Sequence, residues 1–211
     1  KYRASKGKED PARRNERLGK PSRARPAGPL VWVHAASVGE TNVALPVIER
    51  MLKDNPGLSV MLTSGTMTSA ALAARRLSQG AFHQFIPLDA PEYVAGFLDH
   101  WRPDFGIFTE SEIWPNLILA ASERKIPLAL INARMSPRSM KRWRRSAKLG
   151  RQLFAHFDVA LAQNDRVARV LRFLGTPRVM TAGNLKIDAP PPPVDEAVLV
   201  RLRGAIGQRP V

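Results

Sequence analysis

From residue 30 onward the chain alternates short apolar runs with longer amphipathic stretches. The apolar runs are 30–35 (LVWVHA), 58–63 (LSVMLT), 82–87 (FHQFIP), 104–109 (DFGIFT), 127–132 (PLALIN), 157–162 (FDVALA) and 178–182 (RVMTA). Between them, apolar positions recur at helical spacing and predict helices over about 40–54, 66–79, 91–101, 115–125, 138–155 and 164–174. Strands that are apolar throughout and alternate with helices predict a parallel sheet covered on both faces. Right-handed crossovers then make this an α/β fold with a Rossmann-like, doubly wound sheet.

The ends read differently. Residues 1–29 are polar, basic and proline-containing, and predict an extended lead-in rather than core. The stretch 188–195 (DAPPPPVD) has four consecutive prolines and predicts a stiff polyproline linker. Residues 195–211 start a further helix. The expected organisation is a basic lead-in over 1–29 that follows a membrane anchor, one complete domain over 30–188, and a linker with the start of a second domain over 189–211.

Charge changes the picture more than composition does. The chain carries +15, of which residues 1–26 hold +7 and residues 134–151 hold +8, so the rest is balanced. Two basic segments on a neutral body suggest surfaces addressed to polyanions: nucleic acid, an anionic membrane or a phosphorylated lipid. The absence of cysteine excludes disulfides, thiolate nucleophiles and Cys-ligated metals. His34, His83, His100 and His156 lack metal-ligand spacing, so no metal is expected.

In a doubly wound sheet, ligands bind at the carboxyl ends of the strands. The loops there are HAASVGE, TSGTMTS, PLDAPE, TESEIWPN, NARMSPRS, AQND and GNLKID, rich in hydroxyls, amides and acids as a sugar ligand requires. There is no GxxxxGK[ST], GxGxxG or GxSxG, which argues against a P-loop NTPase, a dinucleotide fold and a serine hydrolase. Glu40 falls in a first helical turn, where the helix dipole alone favours an acid by roughly 0.3–1 kcal/mol. Glu110 and Glu112 flank a serine at a strand end, and paired carboxylates beside a polar pocket suit general-base chemistry. Lys186 adds a cation able to offset developing negative charge. Asp89 reads as a cap for helix 91–101, Trp114 and Asn116 as supports of the ESE loop, Ser136 as a helix cap or a ligand contact, and His34 as a structural residue or a pocket wall.

The ordered series RNERLG, HAASVGE, TSGT, ESEIWPNL, INARMS, AQN and GNLKID, over about residues 1–188, resembles the 3-deoxy-D-manno-octulosonic acid (Kdo) transferases of lipopolysaccharide synthesis. That resemblance implies the amino-terminal half of a GT-B glycosyltransferase, two Rossmann-like domains about a cleft, with no cofactor and no metal. It implies inverting transfer of Kdo from CMP-Kdo to a hydroxyl of the lipid A precursor, a phosphorylated, acylated glucosamine disaccharide. The chain would supply the acceptor side and be inactive alone, because the CMP-Kdo site lies mainly in the other half. Carried onto the matching motifs, Glu40 is the base, and Glu110 and Lys186 stabilise the transition state, with Glu112 the alternative to Glu110. Ser37, Gly39, Thr63, Ser64, Gly65, Thr66, Asn132, Arg134 and Ser136 are the expected acceptor contacts. Arg138, Lys141, Arg142, Trp143, Arg144 and Arg145 would face an anionic membrane, at the cytoplasmic face of the bacterial inner membrane, with Met135 and Met140 adding apolar contact. Two other readings compete: a basic nucleic-acid-binding protein, although no nucleic-acid motif is present, and a sugar-nucleotide epimerase-like GT-B domain.

Overall fold

A computed structural model describes residues 9–187, 196–207 and 209. All seven expected strands form, within two residues of their predicted positions: β1 (Leu30–His34), β2 (Ser59–Ser64), β3 (Ala81–Phe85), β4 (Phe105–Thr109), β5 (Leu128–Ala133), β6 (Val159–Ala162) and β7 (Arg178–Thr181). They are joined by α2 (Val38–Asp54), α3 (Met67–Arg76), α4 (Pro91–Trp101), α5 (Pro115–Glu123), α6 (Pro137–Arg145), α7 (Ala147–Phe154) and α8 (Asp165–Phe173). A single turn, α1 (Arg14–Arg17), precedes β1, a 3-10 turn (Leu185–Ile187) follows β7, and α9 (Glu196–Ile206) contains no buried residue.

Every strand pair is parallel, and the order across the sheet is β3-β2-β1-β4-β5-β6-β7. The strand order reverses at β1, which lies between β2 and β4. Loops leaving β1 and β4 turn to opposite faces of the sheet and leave a crevice there, the usual ligand position of such folds. Period-two alternation sorts the core: Trp32, Met61, Phe108 and Leu130 point to the face covered by α4, α5, α7 and α8, while Val33, Leu62, Ile107 and Ile131 point to the α2–α3 face.

The structure corrects the sequence in three places. Within the supposed extended lead-in, α1 places Glu16 in the interior, 1% exposed. Its carboxylate accepts from Arg13 Nε (2.7 Å) and Nη2 (2.8 Å) and from the Phe85 backbone N–H (2.7 Å). Arg17 donates to the carbonyls of Ile86 and Gly65, and Arg25 to that of Trp101. Three arginines of the first basic segment, Arg13, Arg17 and Arg25, are therefore spent on holding the chain to the sheet. The single helix expected over 138–155 breaks at Ser146 into α6 and α7. Trp143, expected to face a membrane, instead packs edge-on against Phe154 at 5.2 Å, and Met140 is buried. The proline-rich linker falls outside the described residues. Among the described residues no helix is long and apolar enough to cross a membrane.

Breaking a buried ion pair costs roughly 3–5 kcal/mol, less where one partner keeps contact with water as Arg13 does. Glu16→Ala is expected to destabilise the chain by about 2–3 kcal/mol, seen as a lower urea midpoint. Next to it, His83 bonds Ser64 Oγ at 2.9 Å, and its pKa is pushed down to about 3, by burial first and then by the charges of Arg13 and Arg17. The unfolded chain takes up this proton near 6.5 and the folded chain does not, so stability falls as pH drops from about 6.5 toward 3. His83→Gln is expected to flatten that decline when unfolding is compared at neutral and acid pH.

Candidate functional site

Beyond β1 the chain turns into α2 through Ser37, the N-cap, whose hydroxyl accepts from the Glu40 N–H. Glu40, three residues in, folds its carboxylate back over the turn in the manner of a capping box. Oε2 accepts from the Ala36 N–H (3.0 Å) and from the Thr109 hydroxyl (3.1 Å), and Oε1 accepts from the Ser37 hydroxyl (2.8 Å). Glu40 is 8% exposed, so its oxygens are fixed at the mouth of the crevice rather than swinging in solvent.

Thr109 is the last residue of β4, and Glu110 follows it with φ +53, a left-handed conformation unusual for a glutamate. The turn directs its carboxylate to Lys186 Nζ (2.7 Å) and Arg134 (3.6 Å). Lys186 is presented by the 3-10 turn after β7, and that turn is held from β5. Asn132 also has positive φ (+51), and the β5–β6 register shifts between Leu130 and Ala133, so β5 carries a bulge there. Asparagine tolerates this conformation better than most residues. The Asn132 side-chain oxygen accepts from the Leu185 N–H (3.2 Å) and from Gln163 Nε2 (3.0 Å), so residues of β5 and the loop after β6 set the height of Lys186.

Glu112 ends a chain of polar contacts that begins in the core. The Trp32 indole N–H donates to Thr63 Oγ1 (2.8 Å), Thr63 Oγ1 and His34 Nδ1 share a hydrogen bond (3.0 Å), and the opposite His34 nitrogen faces Glu112 Oε2 at 3.5 Å. The Trp114 indole also donates to Glu112 (2.8 Å), as expected of a support for the ESE loop. Burial pushes the Glu112 carboxyl up, but the His34 contact and charge and the Trp114 hydrogen bond outweigh it and leave the carboxyl below its usual range.

Glu40, Glu110 and Lys186 thus meet at one edge of the sheet. The expected acceptor contacts divide. Gly39, Arg134 and Ser136 are exposed and Ser37 is half-buried. Thr63 and Ser64 are wholly buried, bonded to Trp32 and His34 and to His83, and do not reach the crevice. Thr66 and Ser136 cap α3 and α6, and the backbone of Gly65 bonds Ala36 and Arg17. Asn132 is 1% exposed and serves the chain itself. Asp89 does not cap its own helix α4; it receives the N–H groups of Asn116 and Leu117 and caps α5, which fixes the exit of the ESE loop.

Residues 12–189 match the family described as 3-Deoxy-D-manno-octulosonic-acid transferase (kdotransferase). The chain belongs to the Kdo transferase family. It is 34% identical to the 3-deoxy-D-manno-octulosonic acid transferase of Rickettsia bellii over 93% of its own length and 47% of that protein's. It is 36% identical to the Bordetella pertussis transferase (89% and 45%) and 45% identical to the "Probable 3-deoxy-D-manno-octulosonic acid transferase, mitochondrial" of Arabidopsis thaliana (68% and 32%). The chain spans less than half the length of each of these relatives. Among solved structures it resembles the S. aureus MnaA-UDP co-structure (TM-score 0.57, 12% identity, 82% of this chain and 51% of that one). It also resembles the UDP-GlcNAc 2-epimerase of Neisseria meningitidis bound to UDP-GlcNAc (0.54, 16%, 86% and 53%). At such low identity these likenesses establish the GT-B-type fold and nothing of the chemistry.

Within this Kdo transferase chain, two residues that hold the site escaped the sequence reading. Thr109, which binds Glu40, looks like any strand-end threonine. Gln163 sits in the AQN motif but carries no sign of its contact with Asn132. His34 and Thr63 were both named, but not their contact with each other. Asn132→Ala removes the acceptor for Leu185. The expected result is faster hydrogen exchange at the Leu185 amide with a loss of about 1–3 kcal/mol in stability, while amides of β1 and β2 keep their protection.

Proposed function

We propose that this chain supplies the acceptor side and the catalytic base of an inverting, metal-independent transfer of Kdo from CMP-Kdo to the lipid A precursor, at the cytoplasmic face of the bacterial inner membrane. The observation that carries the reading is the convergence of Glu40 and the Glu110–Lys186 pair where the strand order reverses.

The acceptor hydroxyl takes the place of the Ser37 hydroxyl on Glu40 Oε1 and gives its proton to that carboxylate. Its oxygen forms a bond to the anomeric carbon of Kdo as the bond from that carbon to the CMP phosphate breaks, and the electron pair leaves with the phosphate. Attack opposite the leaving group inverts the configuration. Glu110 faces the positive charge that develops on the sugar, while Lys186 offsets negative charge on the departing side and holds Glu110 in place. CMP-Kdo is bound mainly by residues outside this chain, so the chain alone transfers nothing.

In the full-length enzyme, Glu40→Gln keeps the size of the side chain and removes its basicity. It is expected to lower kcat by about 10²–10⁴-fold, the usual share of a general base, while acceptor binding changes by less than about threefold. A variant with kcat near that of the parent assigns the base elsewhere. Titrating the chain with lipid A precursor and separately with CMP-Kdo is expected to give binding to the first only; the reverse result assigns it to the donor side.

A further inference from the structure

Helix α6 has two working faces. One carries Ser139, Arg142 and Trp143 to a cavity of about 200 Å³ beside Glu110. The other faces α8 across a separate groove of about 800 Å³. Lys141, Arg144 and Arg145 form one wall of that groove, and Arg166 and Arg169 form the other. Among the described residues none of these five cations is ion-paired, whereas Arg13, Arg25, Arg50, Arg124, Arg134 and Lys186 all reach carboxylates. Five like charges with no counter-charge repel one another, and an anion between the walls relieves that repulsion.

The floor is apolar. Arg166, Arg169, Val170 and Phe173 share one face of α8 at helical spacing. Met140 and Val170 are buried, but Phe173 is 45% exposed at the end of the groove, with the Arg151 guanidinium 5.2 Å from its ring. A free phosphate would leave this floor uncovered. A nucleic acid would want several open ring faces for stacking, and the groove offers one ring with a guanidinium already over it.

We propose that the α6–α8 groove docks an anionic phospholipid of the bilayer, with its phosphate held between Arg144, Arg145, Arg166 and Arg169 and the start of an acyl chain lying on Val170 and Phe173. This deepens the reading of α6 as membrane-facing. It moves the apolar contact from Trp143, which packs inward, to Phe173, and it brings in a second helix. Because α6 stands between the groove and the Glu110 cavity, docking leaves the acceptor position open.

The test uses the 211-residue chain and vesicles of phosphatidylcholine with or without phosphatidylglycerol, free of any acceptor, followed by co-sedimentation. Arg166→Ser with Arg169→Ser is expected to weaken binding to the anionic vesicles about thirtyfold. Lys53→Ser with Arg75→Ser, the same charge change on exposed positions of α2 and α3, is expected to weaken it less than about threefold. Brominated acyl chains are expected to quench a Phe173→Trp variant beyond the parent chain. Equal losses in the two double variants would mean diffuse attraction and overturn the proposal, as would absent quenching. Binding to duplex DNA in preference to vesicles, lost in Arg166→Ser with Arg169→Ser, would reassign the groove to nucleic acid. Failure of docking while the full-length double variant still transfers Kdo in detergent would reject the groove and leave the transferase reading standing.

Discussion

Trp32 is fully buried in the centre of the sheet, and an indole N–H in that position must find an acceptor. It finds Thr63 on the neighbouring strand, and the hydroxyl that accepts from Trp32 is the one that orders His34. His34 in turn fixes Glu112, and Glu112 holds Trp114 at the head of α5. A requirement of the core is thereby passed along polar groups to the loop that carries Glu110. The rings of Phe97 and Phe108, edge-on to Trp32 at 5.3 and 5.0 Å, lock the same indole from its other side.

Two further constraints complete the rim. The reversal of strand order brings the ends of β1 and β4 together, and the Thr109 hydroxyl ties Glu40 of one loop to the strand that delivers Glu110 of the other. The bulge of β5 then sets Asn132 to hold the turn of Lys186. Each charged residue of the site is thus placed by a backbone irregularity or a cap, supported by buried groups. Such placement gives the accuracy that a site on free loops lacks.

The strands were legible because parallel strands buried on both faces are apolar throughout, and their helices because one face of each is apolar. The catalytic candidates were legible as polar residues at strand ends. What was hidden depended on tertiary partners. Glu16 looked like one more charge in a basic tail, since its burial requires Arg13 and the Phe85 amide to arrive together. Thr63, the last residue of its apolar run, looked like a hydroxyl at the mouth of the loop, and Ser64 like a loop residue because strand β2 runs one residue further than that pattern; both are taken into the interior. Trp143 among arginines read as an interfacial aromatic, and only the break at Ser146, which folds α7 back, gives it Phe154 to pack on. Asp89 was correctly seen as a cap but for the wrong helix, because capping across space leaves no mark on local spacing.

The positive φ of Glu110 has a bearing on how this sequence can change over time. A left-handed backbone at that point admits glycine, asparagine and aspartate with little strain and resists β-branched residues. Of the easily admitted three, only aspartate keeps a carboxylate, and it is one methylene shorter. Drift at this position is therefore channelled by the main chain before selection on chemistry acts. The neighbouring positive φ of Asn132 imposes the same narrow alphabet on the next strand end.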